Sequence, residues 1–139
     1  VRFKDQKFTP PAIASAIVNY PEAQANMSFN SHTLLGEEDV TTVVGTKGTL
    51  RSRGPGLNDQ PMMEVFTEEG ECKVPLEGNW FENGFQGTMG ELLCAIEEDR
   101  EPENSAKNNL SSLALCFAGI KSADSGQVIK PGEVRKIES

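Results

Sequence analysis

Two hydrophobic periods run along this chain, and the change from one to the other divides it. Ile13 to Tyr20 (IASAIVNY) is apolar, rich in β-branched residues and bounded by prolines, which predicts a strand. Pro21-Glu22-Ala23 predicts a tight turn. Gln24 to Thr33 (QANMSFNSHT) then alternates, with Ala25, Met27 and Phe29 on one face and Gln24, Asn26, Ser28, Asn30 and His32 on the other. A period of two means a sheet with one buried side. Asp39 to Val44 (DVTTVV) predicts a β-branched strand, which Gly45-Thr46-Lys47-Gly48 turns into Thr49 to Arg53. Glycine suits such hairpin loops because positive φ costs it little. Arg53 to Pro61 reads as a loop. Met62 to Thr67 and Glu71 to Leu76 pair as a further hairpin across Glu68-Glu69-Gly70. The charged segment Val1 to Pro10 reads as a linker or peripheral strand.

From Phe81 the period becomes helical. Phe85, Met89, Leu92, Leu93 and Ile96 are spaced for one helical face. A second helix is expected from Ser105, a good N-cap, with Ala106, Leu110, Leu113, Ala114 and Phe117 on its apolar face and Gly126 as its stop. Gln127 to Lys130 (QVIK) predicts a short closing strand. The expected class is α+β: an open, mostly antiparallel sheet with two helices packed on one face and the other face free for subunit or substrate contact. The 139 residues suit one domain, 1–139.

Charge narrows the partners. A net charge of −8 repels phosphate backbones, and the basic residues Lys47, Arg51, Arg53 and Lys73 form no stripe, so neither nucleic acid nor an anionic membrane surface is expected. No apolar run is long enough for a membrane-spanning helix, and no signal-peptide pattern opens the chain. Cys72, Cys94 and Cys116 are odd in number, which disfavours a disulfide scaffold and fits a reducing, cytoplasmic compartment.

Candidate chemistry is sparse. Gly84, Gly87 and Gly90 fall three apart inside a helical pattern, without the G-x-G turn that aims amides at a pyrophosphate; they read instead as a flat stripe for close helix packing. His32 and the cysteines lack metal-ligand spacing, and free cysteine is usually a small core residue. No nucleophile motif accompanies His32, the single histidine, which leaves a small hydrolase built on it the weakest reading. Glu97-Glu98-Asp99-Arg100-Glu101 reads as a solvated run that fades into a loop at Pro102. The unusual feature is the face Gln24, Asn26, Ser28, Asn30, His32, polar yet without fixed charge. It fits a plain exposed face, a wet interface between sheets, or contact with the hydroxyls of a sugar-like substrate.

One ordered set of motifs goes further. Gly45-Thr46-Lys47-Gly48-Thr49-Leu50 sits between two strands. Trp80 precedes Phe85 and a helix ending in Arg100-Glu101-Pro102. Ser105-Ala106 then opens a helix carrying Leu113 and Ala118, and Ser122 leads to Gly126 and Val128. From Ile13 to Val128 this order resembles the C-terminal domain of the glucose–fructose oxidoreductase, inositol dehydrogenase and rhizopine-catabolism (Gfo/Idh/MocA) family. The resemblance implies a two-domain enzyme whose N-terminal Rossmann domain binds NAD or NADP and which oxidises sugars, polyols or related substrates by hydride transfer. It implies that this domain supplies walls of the substrate site and the subunit interface of a homo-oligomer. The chain carries no Rossmann half, no Glu-Lys-Pro segment and no Asp…His catalytic motif. Catalytic and cofactor-binding residues are therefore expected outside it, no metal site is expected, and the chain alone is expected to be inactive. A free-standing carbohydrate-binding or assembly module is the alternative.

Overall fold

The computed structural model describes residues 11–136. The class is α+β, with open antiparallel sheets and two helices. The chain divides into two compact units between Phe81 and Glu82.

Among the described residues the first unit holds six strands in two separate ladders: β1 (Ile13–Asn19) with β2 (Gln24–Asn30), and β3 (Asp39–Gly45), β4 (Gly48–Gly54), β5 (Met62–Thr67) and β6 (Gly70–Pro75) in sequential order. The first is a hairpin and the second a meander, the topology that short loops between neighbouring strands favour. Turn chemistry sets the registers. The Tyr20 N–H donates to the Ala23 carbonyl (2.9 Å), closing the first hairpin. Gly70, at φ 139°, takes a backbone angle that side chains disfavour and closes the last one. Gly48 is needed for a reason other than the expected one. Its φ is not positive; a Cβ there would lie 2.3 Å from the Phe66 carbonyl oxygen on the neighbouring strand.

The two faces of the four-stranded sheet differ. Thr42, Arg51, Glu64 and Lys73 stand in one cross-strand row. There Glu64 pairs with Arg51 and Lys73, both at 3.6 Å, and the Arg51 guanidinium lies 5.4 Å from the Phe66 ring centre. The opposite face presents Val43, Leu50, Val65 and Cys72 in one row and Thr41, Ser52, Met63 and Val74 in the next, without a charge in either.

The second unit holds α1 (Glu82–Glu97) and α2 (Ala106–Ser125). The predicted caps are in place. Ser105 Oγ accepts from the Asn108 N–H at 3.2 Å, and Gly126, left-handed at φ 67°, donates its N–H to the Ser122 carbonyl. α1 ends through Asp99 at φ 50°, with the Arg100 N–H reaching back to the Ala95 carbonyl at 3.0 Å. Such a left-handed residue commonly ends a helix, and glycine usually fills it.

Several expectations need correction. Gln127 to Lys130 is not a strand: no ladder among the described residues receives it, and Val128 is 97% exposed. A strand needs a neighbour to satisfy its backbone. Val1 to Pro10 lies outside the described residues. The cysteines are all exposed rather than core residues. Gly87 and Gly90 of the glycine stripe do not pack closely among the described residues either, because a Cβ at each would meet nothing within 4 Å. Glycine in a helix interior then only adds backbone entropy to the unfolded chain. Gly87→Ala is expected to raise stability by about 1 kcal/mol, read as a higher urea midpoint with unchanged slope.

Large apolar side chains remain open. Among the described residues the buried apolar side chains are Ala12, Ala95 and Ala118, whereas Leu93, Ile96 and Leu110 are exposed. No described helix is long and apolar enough to cross a membrane.

Candidate functional site

The uncharged face is built by the β1–β2 hairpin. Its register puts Asn19 opposite Gln24, Ile17 opposite Asn26, Ser15 opposite Ser28 and Ile13 opposite Asn30. Residues directly opposite share a face, so these eight form one surface. The other face carries Ala14, Ala16 and Val18 against Phe29, Met27 and Ala25. Alternation along β2 is visible in burial as far as Met27: Ala25 and Met27 are half-buried and Gln24, Asn26 and Ser28 exposed, but Phe29, expected on the buried face, is 59% exposed, and its neighbour Asn30 on the other face is exposed too.

The polar side chains are joined to one another. Asn26 Nδ2 donates to Gln24 Oε1 (3.3 Å), and Gln24 Nε2 donates to Asn19 Oδ1 (2.8 Å). The Ser15 and Ser28 hydroxyls lie 3.4 Å apart. The amide chain runs in one direction. It leaves a donor, Asn19 Nδ2, at one end and an acceptor, Asn26 Oδ1, at the other, both on exposed residues. Ile17, 67% exposed, supplies an apolar patch within the polar face. Hydroxyl-rich ligands are matched by such a surface, since each hydroxyl both donates and accepts and the carbon skeleton offers an apolar side.

His32 does not belong to this face. The strand ends at Asn30, whose Oδ1 accepts the His32 backbone N–H at 3.0 Å and bends the chain into a turn. The Ser31 N–H and Oγ both donate to the Ala12 carbonyl, fastening the same turn to the start of β1. Asparagine side chains favour this kind of turn, and that competition ends an alternation which the sequence carries on to Thr33.

A dinucleotide finds no cradle in the glycines of α1. Gly84, Gly87 and Gly90 lie within the helix rather than at a strand-to-helix turn, so their geometry does not fit a pyrophosphate. No group of three or more His, Cys, Asp or Glu side chains gathers among the described residues as a metal site would.

A second polar cluster follows α1 and is not legible in the sequence. Arg100 Nη1 and Nη2 fork onto the two oxygens of Glu91, at 2.6 and 3.1 Å, while its Nε donates to Glu98. Glu91 also accepts the Glu103 N–H at 2.8 Å, and Asn104 Nδ2 donates to the Thr88 carbonyl at 3.2 Å. The expected solvated run is thus folded back along α1 by its one cation. The Arg100 hydrogen bonds, then the Glu103 N–H, lower the Glu91 pKa to about 2. The Arg100 guanidinium is held still more firmly protonated by Glu91 and Glu98.

Comparison with protein-family models, with curated proteins and with solved structures finds no match to this chain.

Proposed function

We propose that this chain is the substrate and assembly domain of an NAD(P)-dependent oxidoreductase acting on a sugar, polyol or related compound. Its motif order resembles the Gfo/Idh/MocA family, and the single observation that carries the reading is the uncharged amide and hydroxyl face of β1 and β2. Asn19, Gln24, Asn26, Ser15 and Ser28 hold hydrogen-bonding groups in fixed positions around Ile17 without a charge. That suits a neutral polyhydroxylated ligand, whose hydroxyls each donate and accept and which brings no charge to be paired. In this reading a separate Rossmann domain supplies NAD or NADP and the hydride-transfer residues. The chain itself forms walls of the site and joins a homo-oligomer through an open sheet face. The odd cysteine number accords with a cytoplasmic setting.

Two measurements test this. The coding sequence ahead of Val1 is expected to contain G-x-G-x-x-G directly after a strand, followed by a Glu-Lys-Pro segment; an upstream region lacking both overturns the reading. In the whole protein, Asn26→Ala is expected to raise KM for the polyol about tenfold, the worth of one hydrogen bond of about 1.4 kcal/mol, and to leave the Kd for the dinucleotide unchanged. An unchanged KM removes Asn26 from the site.

A free-standing carbohydrate-binding module is the second reading, favoured because the face is complete within one hairpin. It requires calorimetric heat when the isolated chain is titrated with a panel of sugars and polyols, and no heat rejects it.

A further inference from the structure

The four-stranded sheet has two edges, and they are protected unequally. An edge strand turns every second N–H and C=O outward, where it can template pairing with another chain. β6 blocks this with Glu71, Lys73 and Pro75. β3 has no such device between Val40 and Val44: the run Val-Thr-Thr-Val-Val is β-branched throughout, without charge, glycine or proline. Its pairing with β4 is continuous from Asp39 to Gly45, so no bulge turns it away. All of its residues after Asp39 are exposed, Val44 to 77%.

The outward groups can be named. The two-residue loop Thr46-Lys47 makes Gly45 and Gly48 a hydrogen-bonded pair. By alternation Val43 and Thr41 also bond inward to β4, and Val44, Thr42 and Val40 turn their backbone groups outward. This set is symmetric about Thr42. Laid antiparallel against a copy of itself on a two-fold axis through Thr42, the strand pairs Thr42 with Thr42, Val40 with Val44 and Thr41 with Val43. Each outward residue then finds a hydrogen-bonding partner, and each side-chain pair is β-branched against β-branched, a favourable cross-strand match.

We infer that β3 is a self-pairing edge: two copies of this chain join through antiparallel β3 strands centred on Thr42, doubling the four-stranded sheet into one continuous sheet. This interface is distinct from the polar β1–β2 face and does not depend on the reading of that face.

Sedimentation equilibrium on the full chain, from micromolar to millimolar concentration, tests it. The unaltered chain is expected to form a dimer. Thr42→Lys and Thr42→Glu each set like charges across the axis and should be monomeric alone, while their equimolar mixture should dimerise again. Val74→Lys, on the β6 edge, should leave the dimer intact. Amide exchange on the unaltered chain needs no substitution: at Val40, Thr42 and Val44 it should slow about tenfold once nine-tenths of the chains are paired. A monomer at millimolar concentration overturns the inference. So does a dimer that survives Thr42→Lys, or exchange at those amides that does not depend on concentration. A dimer insensitive to Thr42→Lys but lost in Asn26→Lys assigns assembly to the polar face instead.

Discussion

Gly54→Ala is expected to destabilise the first unit by about 3 kcal/mol, at the upper end of what overpacking costs. Gly54 ends β4 and is buried. A Cβ there would lie 1.7 Å from the Asp59 carbonyl oxygen and 3.2 Å from Gln60 Cα. Both are backbone atoms, so no side chain can swing aside. The loop is also pinned: the Asp59 N–H donates to the Gly56 carbonyl at 3.1 Å, and Gln60 Nε2 donates to that carbonyl (2.9 Å) and to Asp39 Oδ1 (3.2 Å). Retreat from a methyl group breaks these bonds and loosens the start of β3. Urea titration should show a lower midpoint with little change in slope. Gly56→Ala is the control, since a Cβ at that position meets nothing within 4 Å. Equal midpoints for the two variants would refute the steric account.

The second large effect is on acid stability of the helical unit. Glu91 has its pKa lowered from 4.5 to about 2 by the Arg100 fork and the Glu103 N–H. A carboxylate whose pKa is lower in the folded state stabilises that state fully above its unfolded value, near pH 4.5. The contribution falls away as pH drops toward 2, because the unfolded chain takes up the proton first. Helix signal followed by circular dichroism should therefore decline between pH 4.5 and 2, and Glu91→Gln should flatten that part of the profile while lowering stability at neutral pH. Glu91 and Arg100 are 26% and 38% exposed, so water screens the pair and added salt should shrink the difference. A profile with the same acid limb in Glu91→Gln would show that another carboxylate carries it.

These two features mark where sequence reasoning stops. Local periodicity made the β1–β2 alternation legible, and local cap chemistry made Ser105 and Gly126 legible as the ends of α2, because both depend on residues a few positions apart. The Glu91–Arg100 fork joins positions nine apart across a helix end, and the chain reversal at Asp99 that brings them together has no periodic signature. Gly54 and Gly48 look like ordinary turn glycines. Their requirement comes from backbone of another segment, at Asp59 and Phe66. The alternation carried His32 onto the polar face, whereas the Asn30 side chain bends the strand away first. Gln127 to Lys130 has the apolar character of a strand but no adjoining ladder among the described residues. The polar face itself was legible as a list of residues; its direction of hydrogen bonding was not, since that depends on which residues of β1 stand opposite.

That direction makes the face handed. Donor at Asn19, acceptor at Asn26 and apolar contact at Ile17 are three unlike points on one hairpin surface. Three unlike points distinguish a molecule from its mirror image: a ligand that satisfies all of them in one enantiomer meets a donor with a donor, or a C–H edge with an amide, in the other. Any recognition built on this surface is therefore stereoselective before a catalytic group takes part.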